Sequence, residues 1–187
     1  QEETADPGEF LDNLRFEIGA KELYVFTPKG KVVGLSAGST PVDFAYAVHT
    51  QVGHRTIGAK VNGRLVPLES KLQAGDVVEI LTSKSESAAP SKDWLNFVGS
   101  ASARAKIKHW FTQERKEHAT EDGKETLVKA LRRSGLPIQS LLNSETLLQI
   151  VGEQKLSDIN SLFTAIGQGQ ISTGTVIERI KQLRGLV

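Results

Sequence analysis

The chain has 187 residues, 39% hydrophobic and 24% charged, a length for one or two domains with ordinary cores. Its 23 basic and 22 acidic residues leave a net charge of +1, so bulk charge selects neither nucleic acid nor membrane, and a nucleic-acid site must come from local clustering. There is no cysteine, which excludes disulfides, thiol catalysis and cysteine-held metal, and the apolar runs are too short to span a bilayer. With no basic-then-apolar leader, a cytoplasmic location away from membranes is expected. Methionine is absent, so the chain is expected to be a piece of a longer protein.

Residues 1–21 read as a linker or exit helix from a preceding domain. Phe10, Leu11 and Leu14 stand at helical spacing, and Pro7 suits a first helical turn. Tyr24 to Thr27 alternates as a strand, Pro28-Lys29-Gly30-Lys31 is a turn, and Val32 to Leu35 returns. Thr40 then caps a helix with Pro41 at its first position and Asp43 in its first turn. Phe44, Ala45, Val48 and Val52 are its expected apolar face, and it should end near Thr50 to Val52, ahead of Gly53. Ile57 to Val61 is the next strand, and Asn62-Gly63 predicts a type I′ turn into Arg64 to Pro67. Leu68 to Leu72 connects to a turn at Gln73 to Asp76 and a buried last strand, Val77 to Leu81. A helix crossing between two hairpins lets the first and last strands lie side by side. Residues 22–83 are therefore expected to form a β-grasp domain.

Residues 84–99 read as a linker, polar around Pro90, with Trp94, Leu95 and Phe97 able to dock on the first domain. From Ser100 the pattern is helical, with Ala103, Ile107, Trp110 and Phe111 near 3.6-residue spacing. Asp122 and Glu125 have capping-box spacing and predict a second helix to Arg133, stopped at Ser134-Gly135. A turn at Gln139 to Leu142 and three further helices follow, capped at Asn143 or Ser144, near Asp158, and after Thr173-Gly174-Thr175. The expected fold class is α+β: a β-grasp domain, then a small all-α domain over 100–187.

The run YVFTPKG, then STPVDFAYAVHTQVGHRTIGAKVNGRLVP, then LQAGDVVEILTS, resembles the TGS domain of the long RelA/SpoT stringent-response enzymes. The continuation SKDWLNFVGSASARAKIKHWFTQERKE is similar to their next, helical segment, and DPGEFLDNLRFEI to the exit from their synthetase domain. The resemblance covers essentially the whole chain, in several long blocks in the right order. It implies a non-catalytic regulatory fragment of a (p)ppGpp synthetase/hydrolase, without cofactor. In that family the TGS domain contacts the 3′ CCA end of deacylated tRNA on a stalled ribosome. The helical domain helps hold tRNA and ribosome and relays the state to the protein's own catalytic domains.

An exposed CCA end is single-stranded RNA, read by ring stacking and by hydrogen bonds to base edges and 2′-hydroxyls. His49, at the helix end, and His54, in the adjoining loop, offer flat rings with a donor and an acceptor, and both are expected in one surface patch. The resemblance favours His49 as the CCA contact. The plain alternative for either histidine is a helix cap or a bond to a backbone carbonyl. Arg55 and Lys29 are candidate phosphate contacts. Arg104, Lys106, Lys108, Arg115 and Lys116, opposed only by Glu114, form the strongest local positive excess. They are either an RNA-facing helix side or a solvated basic face, with Trp110 expected in the core. PKGK lacks the spacing and the terminal Lys-Ser/Thr of a phosphate loop and is expected to be a hairpin turn. No catalytic triad or metal-ligand spacing is present in the sequence. A second function class stays open: an intramolecular or protein-partner module without direct RNA contact, docking through Trp94, Leu95 and Phe97. A small-nucleotide site has no supporting motif.

Overall fold

In the computed structural model, residues 22–142 and 144–185 are described. The exit-helix expectation over 1–21 and the Asn143 cap lie outside them. Alternating residues build the first hairpin, β1 (Glu22–Phe26) and β2 (Val32–Ser36), paired antiparallel with Tyr24 opposite Gly34 and Phe26 opposite Val32. Gly30 takes φ +88° in the turn, and Lys31 N donates to Thr27 Oγ1. The capping box at Thr40 and Asp43 then starts α1 (Pro41–Val48), with both reciprocal bonds made.

The helix stops earlier than its apolar spacing predicts. His49 is extended (φ −168°, ψ 144°) and opens a second short helix, α2 (Thr50–His54). That break ends the face expected to run from Phe44 through Val48 to Val52: Val48 is 46% exposed, and Tyr46 is buried in its place.

Strands β3 (Thr56–Val61), β4 (Arg64–Val66) and β5 (Val78–Thr82) form a sheet in the order β4-β3-β5. Asn62 (φ +53°) and Gly63 (φ +83°) supply the positive φ of the predicted type I′ turn. Parallel pairing of Phe26 with Val77, with Phe26 N donating to Asp76 O, lays β1 beside the start of β5. The result is a β-grasp fold in which Val25, Leu35, Phe44, Leu72 and Val78 make the core under α1.

Past β5 the backbone stays packed on this domain. Ser83 N donates to Arg55 O, Pro90 is buried, and the 3₁₀ turn Lys92–Asn96 buries Trp94. Helix α3 (Ala101–Arg133) runs 33 residues without interruption, where two helices were expected. Capping-box spacing at Asp122 needs an extended backbone there to act. None forms, because Gly123 continues as helix against α6 (Ile159–Gly167). A methyl group at Gly123 would overlap the Phe163 carbonyl, and one at Gly167 the Ala119 carbonyl. The chain divides into two compact units, Gln1–Trp110 and Phe111–Val187.

Helix α3 ends at Gly135 (φ +70°), where Leu136 N closes back on Leu131 O. The second unit adds α4 (Ile138–Leu142), α5 (Glu145–Glu153), α6 and α7 (Thr173–Leu183). Ser144, Asp158 and Ser172 each accept from a backbone N–H three residues on, capping α5, α6 and α7. Leu131, Leu147, Ile150, Leu162 and Ile180 centre its core. Arg179 grips Glu153 with two hydrogen bonds, 2.9 and 2.7 Å, tying α7 to α5. No helix among the described residues is long and apolar enough to cross a membrane.

Candidate nucleic-acid interface

His49 sits between two helices, and both lean on it. Its N–H donates to Ala45 O at the end of α1, and its carbonyl accepts from Gly53 N in α2. Its ring Nδ1 accepts from Gln51 N at 3.0 Å, making the imidazole the side-chain cap of α2. The rest of the ring is exposed. Of the two readings open for this histidine, the structure shows the helix cap, made by a side chain that stays exposed.

His54 does not share that surface, contrary to expectation. It is the last residue of α2, 8% exposed, and its Nδ1 lies 2.9 Å from the Tyr46 hydroxyl, with the two rings edge to face. The Trp110 ring is also near, its centre 6.5 Å from that of His54 and the two rings tilted. Burial, then the positive charge of His109 and Lys106, holds His54 below the ordinary histidine range. Burial also pushes the Tyr46 phenol up, so it stays protonated. Gly53, within α2, lies so close to the Tyr46 ring that no Cβ fits between them.

The cations divide in the same way. Arg55 Nε and Nη2 donate to Ser83 O and Ser85 O at 2.8 and 2.7 Å, clamping the segment after β5. Arg104 donates to Leu95 O and Val98 O, closing the loop before α3. Lys29 is exposed at the β1–β2 turn, Lys108 is exposed on α3, and Lys106 is half-buried. Among the described residues no cluster of three or more His, Asp or Glu is placed to hold a metal.

Two residues matter more than their sequence signal suggested. Tyr46 carried no mark except position i−8 from His54. Asp43 was legible only as a first-turn acid. In the fold it is buried and accepts from Thr40 N and Oγ1, Gly99 N and Ser100 N, all within 2.8–2.9 Å. One carboxylate thus anchors the starts of both α1 and α3.

These residues sit on a β-grasp domain followed by a helical unit. Residues 23–82 match the TGS domain model, and residues 110–181 match the RelA/SpoT AH domain. The chain is 55% identical over 185 residues to a GTP pyrophosphokinase of Streptomyces coelicolor, covering 99% of this chain and 22% of that protein. It is 54% identical over 180 residues to the bifunctional (p)ppGpp synthase/hydrolase RelA of Mycobacterium tuberculosis, covering 96% of this chain and 24% of that protein. Against the GTP pyrophosphokinase of Escherichia coli it is 41% identical over 181 residues, covering 95% and 23%. The chain belongs to the RelA/SpoT family. It spans under a quarter of these relatives' length, and its matched domains are TGS and AH.

Proposed function

We propose that this chain is the non-catalytic sensing part of a (p)ppGpp synthetase/hydrolase, which reads the CCA end of deacylated tRNA on the ribosome and relays that state to the catalytic domains. The observation that carries the reading is His49: an exposed imidazole held rigidly at a helix break of a TGS domain. Rigid presentation suits single-stranded RNA, because the partner's ordering cost is then the only large one. Lys29, Lys106 and Lys108 are the cations proposed to meet phosphate. Buried His54 and the clamps Arg55 and Arg104 are proposed to act by holding the shape behind them.

The protein-partner alternative draws less support. Trp94, its expected anchor, is buried within the first unit, and Leu95 and Phe97 are half-buried. Comparing deacylated with aminoacylated tRNA in an equilibrium titration tests the proposal. Deacylated tRNA should bind tighter, because an aminoacyl group crowds a site built for a free 3′ end. Equal affinity removes the sensing role.

A further inference from the structure

Independently of the RNA reading, we infer that residues 112–118 of α3 form a helical hinge, a span that opens locally while the packed parts on either side stay folded. Such a hinge sets how firmly the two units move together. Helix α3 belongs to both units, since the boundary between them falls after Trp110. Its first part is anchored: Ala103 and Ile107 are fully buried, Arg104 holds the Leu95 and Val98 carbonyls, and the Trp110 ring lies near His54. Its last part is anchored as well. Thr120 and Thr164 share a hydrogen bond between hydroxyls, Gly123 abuts α6, and Leu127 and Leu131 are core residues. Between these parts, every residue from Thr112 to His118 is exposed, a stretch of about two turns. A helix that packs one face shows a buried position every three or four residues. Seven consecutive exposed positions leave no face of this span buried, so the main source of helix stability in proteins is missing there. The sequence does not make up the loss, because all seven side chains are polar and Glu117 and Glu121 repel each other at i, i+4 spacing. What keeps the span helical is its anchored ends. A break inside a helix requires a fresh nucleation on its far side, a factor of about a thousand. The same factor sets the open population: about one molecule in a thousand has the span melted with both flanks intact.

The test is amide hydrogen exchange on the whole chain, read residue by residue by NMR, in increasing concentrations of urea below the unfolding transition. Amides of 112–118 should exchange about a thousandfold more slowly than in an unstructured chain, and roughly tenfold or more faster than those of Ile107 and Leu127 in the same helix. Their exchange should hardly change with urea, because local opening exposes little new surface, whereas core amides such as Val25 and Leu162 should accelerate steeply. Glu114→Gly should speed exchange in the span about fourfold, and His118→Ala should slow it about threefold, following helix propensity at exposed positions. Span amides as protected as that of Leu127 overturn the inference. So does acceleration by urea along the slope of either core, because the span then opens only with the unit that holds it. Variants that leave exchange in the span unmoved overturn it too.

Discussion

At His54 the chain buries a titratable ring between Tyr46 and the side of α3, and this has a pH consequence. Its folded pKa lies below the ~6.5 of an unfolded histidine, so the unfolded chain binds more protons between those two values. Stability is then complete above about pH 6.5 and is lost as pH falls toward the folded value. Urea midpoints measured from pH 8 down to pH 5 should decline over that window, and His54→Asn should flatten the decline. The carboxylates held low by hydrogen bonds, Glu153 by Arg179 and Asp158 by Ser161, act only at more acidic pH. Tyr46→Phe deletes the partner of the buried His54 nitrogen and should cost about 1–3 kcal/mol in chemical denaturation, with little change in secondary structure. At His49 the cap makes Asn a cleaner substitution than Ala for RNA tests, since Ala removes the α2 cap as well as the exposed nitrogen.

Helix starts and helix crossings carry the next level of organisation. Asp43 serves α1 through Thr40 and α3 through Gly99 and Ser100. Asp43→Asn puts an amide donor where an oxygen accepted, so at least one bond is replaced by a donor facing a donor. A loss of about 2–3 kcal/mol is expected, on the scale of hydrogen bonds to a charged group. Amide hydrogen exchange should speed up at Gly99 and Ser100 before it does in β3. At Gly123, intrinsic propensity and packing oppose each other. Alanine in an exposed helix interior is favoured over glycine by about 1 kcal/mol. Here the added methyl meets the backbone carbonyl of Phe163, which cannot turn aside as a side chain would. Gly123→Ala should therefore lower the thermal midpoint, by a loss of about 1–3 kcal/mol. A raised midpoint would show that α3 and α6 separate easily.

For the molecule as a whole, the proposed sensing role implies an RNA affinity assembled from few charges. With a net charge of +1, the proposed phosphate contacts are limited to scattered lysines. The salt dependence of tRNA binding should be shallow, a slope of about two to three on log axes for three contacts. A slope near zero, with tight binding to the isolated catalytic half instead, would move the assignment to the protein-partner reading.

How much of this was legible in advance follows from the range of each signal. The strands, the Asn62-Gly63 turn, the Thr40 cap and the helix starts at Ser144 and Asp158 are local devices, written within four residues, and the chain alone determined them, whereas α7 starts at Thr173, inside the Thr173-Gly174-Thr175 stretch expected to precede it. The family was legible for a related reason: long blocks in the right order, from Tyr24 to Glu117, are read directly as sequence. Local signals failed where a distant group outweighed them. Capping-box spacing at Asp122 yielded to the close approach of α6, and the apolar series through Val48 yielded to a break held by the His49 ring. Among the candidate cations, Arg55 and Arg104 found backbone carbonyls that sequence spacing does not place beside them. The same residue type, histidine, was assigned to the surface at 49 and to the interior at 54 by tertiary structure alone. A local pattern specifies which bonds a residue can make, and only the folded chain brings up the partners that decide which are made.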